Sequence, residues 1–67
     1  MKEYSNREII SVIDEWIHNA KHREILKDRY VNGLTFEQLA EAYDISVRHA
    51  KTIVYRSEDK IFSHISY

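Results

Sequence analysis

The residues with the most chemistry to offer lie in one short stretch. From Ser46 to Arg56 the charged side chains are Arg48, Lys51 and Arg56, all basic, with His49 among them; from Gly33 to Ile45 they are Glu37, Glu41 and Asp44, all acidic. Net charge is only −1 at pH 7, so this sign change between neighbouring segments says more about an anionic partner than the total does. If Ser46 to Arg56 is helical, Arg48, Thr52 and Tyr55 project from one side, flanked by His49, Lys51 and Arg56. Such a face offers hydrogen-bond donors and no carboxylate. A major groove about 12 Å wide admits one helix, and its base edges and phosphate walls suit such a face. Arg48 and Thr52 are placed for base edges and Lys51 and Arg56 for phosphates, while Tyr55 and His49 suit either. Ser46, at the start of the helix, brings backbone N–H groups to a further phosphate. Glu58 and Asp59 restore acidity, so the part that enters a groove ends near Arg56.

Other chemistries find less support. His18 and His22 stand four apart, a spacing that on one helix face suits zinc, and Asp14 lies a turn earlier. No glutamate follows His18 as in a His-Glu-x-x-His motif, and Asn19 between the two histidines is a candidate helix break, so no metal is expected. A chain of 67 residues without cysteine, and with glycine only at Gly33, has no thiolate site and no glycine-rich phosphate loop. No nucleophile–base pair is apparent. The expectation is a protein that is not an enzyme and uses no cofactor.

The elements that must position the basic face are helices. Ser5 with Glu8 has capping-box spacing, and Ile9, Val12, Ile13, Trp16, Ile17 and Ala20 follow at three- and four-residue steps, opposite Ser11, Asp14 and His18. This is an amphipathic helix with a broad apolar stripe, in which Trp16 reads as core. A second helix, from about Lys21 to Val31, carries Ile25, Leu26 and Tyr30 inward; it either breaks from the first near Asn19 or continues it through Ala20. Gly33 supplies the left-handed residue that ends many helices. Thr35 and Gln38 make a second capping box before Phe36, Leu39, Ala40 and Tyr43, and Asp44-Ile45-Ser46 forms a tight connector. In the last helix Ala50, Ile53, Val54, Ser57, Ile61 and Ile65 share one side.

Two short helices joined by such a connector form a helix-turn-helix, here about residues 35–57, supported by N-terminal helices over about 6–31. Ala40 is the small residue at the crossing, Ile45 the apolar residue in the turn, and Ala50 and Ile53 the anchors of the second helix. The fold class is all-α, a small bundle of four helices, with residues 1–67 as a single domain. No apolar run approaches membrane-spanning length and Met1-Lys2-Glu3-Tyr4 lacks the apolar stretch of a signal peptide, so a cytoplasmic protein without a membrane partner is expected.

The stretch Arg23-Glu24-Ile25-Leu26, Arg29-Tyr30, Gly33-Leu34-Thr35, Glu37-Gln38-Leu39-Ala40-Glu41, Asp44-Ile45-Ser46, continuing through Ala50, Ile53 and Lys60-Ile61, resembles the fourth conserved region of bacterial sigma factors. Helix-turn-helix domains of response regulators and of small phage transcription regulators are similar too. The resemblance covers about 40 residues. It implies a four-helix DNA-binding domain whose last helix enters the major groove, with Arg48, His49, Lys51 and Thr52 in the recognition positions. Asp44 stands where the family usually has glycine, which an aspartate able to adopt a left-handed backbone can replace. Arg48 and Thr52 stand where sigma factors usually carry glutamate and glutamine, so the resemblance does not extend to the promoter element read. The remainder of a sigma factor is missing from these residues, and the expectation is a free-standing transcription regulator of phage or mobile-element type. Its partners are double-stranded DNA and, among proteins, a second copy of itself or RNA polymerase. A module that docks on polymerase or another regulator through Tyr4, Trp16 and the first-helix stripe is the alternative.

Overall fold

A computed structural model describes residues 5–64; the expectations placed on Tyr4 and Ile65 fall outside them. Four helices follow in order, α1 (Asn6–Trp16), α2 (Ala20–Tyr30), α3 (Phe36–Tyr43) and α4 (Val47–Ser63), and no strand occurs among the described residues. The fold is all-α.

Each helix begins on a side-chain cap. The Ser5 hydroxyl accepts the Glu8 N–H at 3.1 Å while the Glu8 carboxylate accepts the Ser5 N–H, completing the first box. Thr35 and Gln38 do the same for α3, with distances of 3.1 and 2.8 Å. Ser46 caps α4 by accepting the His49 N–H at 3.0 Å, and Asn19 caps α2 by accepting that of His22 at 3.1 Å. These four oxygens satisfy N–H groups that a helix start leaves without a carbonyl.

The Asn19 cap settles the choice between one long helix and two. The chain leaves α1 at Ile17, whose backbone is extended, and re-enters a helix at Ala20. Arg23 reaches back across the break, and its Nη1 donates to the carbonyls of Ile17 and His18 at 2.9 Å each. These are acceptors that the end of α1 leaves free, so one guanidinium holds the turn. Two expectations change as a result. Ala20 belongs to α2 and is exposed rather than extending the α1 stripe. Trp16, the last residue of α1, is 38% exposed instead of core and lies against His64, with ring centroids 3.8 Å apart. The turn that follows carries Ile17 inward in its place.

The core is formed by Ile9, Val12, Ile13 and Ile17 from α1 and its end, Ile25 and Leu26 from α2, Leu39 from α3, and Ala50, Ile53, Val54 and Ile61 from α4. Helix α4 packs against all three others. Truncating a fully enclosed side chain such as Leu39 or Ile25 to alanine removes about 2–5 kcal/mol, a large share of the stability available to a domain this small. Between α2 and α3 the chain turns on Gly33, whose φ of 74° is left-handed. There the Arg29 guanidinium donates to the Leu34 carbonyl at 2.9 Å. Between α3 and α4 the turn depends on Asp44, also left-handed at φ 54°, followed by the Ile45 N–H donating to the Ala40 carbonyl at 3.0 Å. A polar clamp joins α2 to α3: the Tyr43 hydroxyl donates to Asp28 Oδ2, and the Asn32 amide donates to Asp28 Oδ1 at 2.8 Å.

Candidate nucleic-acid interface

The direction of α4 follows from the turn before it. With Asp44 left-handed and Ser46 capping, the helix starts after a connector of three residues, and Ala50, Ile53, Val54, Ser57 and Ile61 go inward. The opposite face is therefore turned to solvent. Arg48, His49, Lys51, Thr52, Tyr55 and Arg56 are all exposed, Tyr55 by 56% although it is a large aromatic. The backbone N–H groups of Val47 and Arg48 begin the helix without intrahelical acceptors, while Ser46 already serves His49.

These side chains divide into groups by position around the helix. Arg48, Thr52 and Tyr55 form the outermost row. The Thr52 hydroxyl donates to the Arg48 carbonyl at 3.0 Å, which commits its proton inward and leaves its lone pairs and methyl group for a ligand. Arg48 has no side-chain partner among the described residues and keeps all its donors free. Lys51 lies on the flank toward α3, where Phe36 organises a cluster. Its ring has the Lys51 ammonium 5.8 Å and the Arg29 guanidinium 4.3 Å from its centroid, with the Tyr55 ring at 5.7 Å, tilted by 64°. Cations over an aromatic face are held without being neutralised, so Arg29 and Lys51 retain their charge for an anion. Arg56 is on the other flank, turned toward the α1–α2 turn, where it lines a cleft with His18, His22 and Lys60. His49, two helical turns earlier, shares that flank.

Arg29 is the residue that inspection of α4 alone overlooks. It sits near the end of α2, and only the packing of α2 against α3 and α4 brings it to the Phe36 ring that Lys51 and Tyr55 also approach. The Arg-Tyr pair at positions 29 and 30 within the sigma-like stretch was the available signal.

Burial, reinforced by the nearby Glu58 charge, pushes the Tyr30 hydroxyl up to about 12. Burial, the hydrogen bond to Asp28 and the Asp28 charge do the same for Tyr43. Both phenols stay protonated at neutral pH. His18 and His22 straddle the break at Asn19 rather than sharing one helix. Among the described residues no three or more His, Cys, Asp or Glu are grouped as metal ligands, and no helix is long and apolar enough to cross a membrane.

The family model of sigma-70, region 4, matches residues 19–61, from the α2 cap to the last buried isoleucine of α4 and well over half of the chain. The chain belongs to that family, one of helix-turn-helix DNA-binding domains. Comparison with curated proteins and with solved structures returns no match. The matched span takes in α2, α3 and nearly all of α4 and leaves out α1.

Proposed function

We propose that this member of the sigma-70 region 4 family is a sequence-specific double-stranded DNA-binding transcription regulator, a single domain acting in the cytoplasm. It inserts the first half of α4 into the major groove. The observation that carries the reading is the exposed row Arg48, Thr52 and Tyr55 at the start of a helix whose entry is held by a left-handed residue and a serine cap. Arg48 has the fork geometry for a guanine edge, and Thr52 offers an acceptor and a methyl group to the next base. Lys51, supported by Arg29 on Phe36, holds phosphates on one side of the groove. Arg56 holds one on the other side, with His49 beside it. Tyr55 spans both tasks, and the helix start at Ser46 receives a phosphate on its N–H groups. Arg48 and Thr52 replace the acid and amide usual in sigma factors, so the target differs from the promoter element those proteins read.

One such module covers a short half-site, and symmetric pairing of two copies is the usual means of lengthening it. A second reading is favoured by one observation: Trp16 lies 38% exposed at the end of α1, outside the recognition surface. Exposed tryptophans concentrate at protein interfaces, and RNA polymerase or another regulator would then be the partner docked there. Selecting bound duplexes from a random pool with the purified protein separates the two. The DNA reading expects one motif to be enriched, and a pool that stays random after repeated rounds would leave docking as the function.

A further inference from the structure

We propose that the cleft between the α1–α2 turn and α4 is a binding site for a phosphate-type anion. One wall carries His18, Asn19 and His22 beside the apolar Trp16 and Ile17; the other carries Arg56, Ser57 and Lys60. The space between them is about 230 Å³, room for a phosphate or pyrophosphate with a few waters and smaller than the pockets that enclose drug-sized molecules.

Three features distinguish this cleft from an ordinary basic surface. First, no carboxylate lines it: Glu58 and Asp59, on the same turn of α4, are exposed and are not among its walls. Arg56 and Lys60 have no ion-pair partner among the described residues, where the Lys27–Asp14 pair lies elsewhere, between α1 and α2. Second, Ser57 is a polar residue on the buried side of α4, nine-tenths enclosed, and its hydroxyl lines the cleft without a hydrogen-bond partner among the described residues. The hydroxyl keeps its access to solvent on the cleft side, so it is free to donate to an anion placed there. Third, the N-terminus of α2 opens here. Asn19 satisfies the His22 N–H, which leaves the earlier N–H groups of Ala20 and Lys21 without intrahelical acceptors.

The number of donors selects the anion. Two exposed cations, two imidazoles and a hydroxyl line the cleft from two elements. A carboxylate has two oxygens to offer them, whereas a phosphate presents three or more acceptor oxygens and more charge. The phosphate can be a backbone group of bound duplex or part of a free phosphorylated compound. Arg56, assigned above to a DNA phosphate, belongs to both readings; Lys60, Ser57, His18 and His22 belong to this one alone.

Titration of the free protein with pyrophosphate, followed by NMR and Trp16 fluorescence, tests the site without DNA. Saturable shifts are expected at His18, His22, Ser57 and the Trp16 indole. The variant Ser57→Ala with Lys60→Gln should weaken binding at least tenfold, while Arg48→Ala, which cripples duplex recognition on the reading above, should bind pyrophosphate as the parent does. Lys60→Gln alone, which leaves the buried side of α4 intact, should weaken binding about threefold or more if the double variant fails to fold. Absence of saturation, shifts confined to the start of α4, or unchanged affinity in the Lys60 variant would overturn the proposal. Adding duplex identifies the source: competition with pyrophosphate assigns the cleft to the DNA backbone, and simultaneous binding assigns it to a free phosphorylated ligand.

Discussion

Replacing Tyr43 with phenylalanine tests how the supporting helix of the helix-turn-helix is held in place. The ring stays and packs as before, but the hydroxyl that donates to Asp28 Oδ2 is lost. Hydrogen bonds to a charged acceptor are worth about 1.5–3 kcal/mol, and a partly exposed one falls at the low end, so a loss of about 1–2 kcal/mol is expected. For 67 residues, an unfolding entropy of about 2.1 cal/mol/K per residue makes each kcal/mol worth about 7 °C in Tm. Tyr43→Phe should therefore melt about 7–14 °C below the parent. The pair is best isolated by a double-mutant cycle with Asp28→Ala, monitored by urea unfolding, in which the coupling should reach about 1 kcal/mol. Asp28 also receives the Asn32 amide, so its single variant should cost more than that of Tyr43. The pH dependence has a definite sign. The folded state raises Tyr43 from 10.0 to about 12, so it favours the protonated phenol. That contribution is complete below pH 10 and is lost as pH rises toward 12. The alkaline decline should be shallower in Tyr43→Phe. A variant within about 0.3 kcal/mol of the parent, with no coupling to Asp28, would refute the clamp.

Tyr30→Phe should have the opposite effect. The Tyr30 hydroxyl is buried with no hydrogen-bond partner among the described residues, so removing it should stabilise the fold by about 1 kcal/mol in urea unfolding; a loss of stability would mean that the hydroxyl is satisfied. At Asp44, where φ is 54°, alanine should cost about 1 kcal/mol because a Cβ disfavours the left-handed region, while glycine should stay near the parent, strain relief offsetting its greater freedom when unfolded. Equal stability of Asp44→Ala and Asp44→Gly by thermal melting would show that the turn does not require that conformation.

Most of what positions the candidate interface was local, and therefore legible. Both capping boxes, the Ser46 cap, the left-handed Gly33 and Asp44, and the buried side of α4 from Ala50 to Ile61 are set by contacts three or four residues apart, which spacing reveals directly. The helix break was harder, because Ala20 prolongs the apolar periodicity of α1 and only Asn19 argues against continuity. What decides it is Arg23, donating back to Ile17 and His18, an interaction with no periodic signature. The same break displaces Trp16 from the core, since a residue at a helix end packs according to where the chain turns next. The cluster on Phe36 and the Tyr43–Asp28 clamp join residues from different helices, Tyr43 and Asp28 being fifteen positions apart. Pairings of that kind depend on packing and leave no trace in local spacing. Ser57 illustrates a limit of a different sort: its place on the buried side of α4 was evident, but its open hydroxyl was not.

The central claim, that the first half of α4 reads DNA, is tested most directly by the affinity of the parent and Arg48→Ala for a selected duplex and for the same duplex with one base pair changed. A bidentate arginine–guanine contact contributes about 1–3 kcal/mol of discrimination. Arg48→Ala should therefore bind the selected duplex at least five- to tenfold more weakly while losing its preference at one base pair, with the salt dependence reduced by no more than a single phosphate contact would account for. Unchanged affinity and unchanged preference in Arg48→Ala would contradict the assignment of α4 as the reading helix.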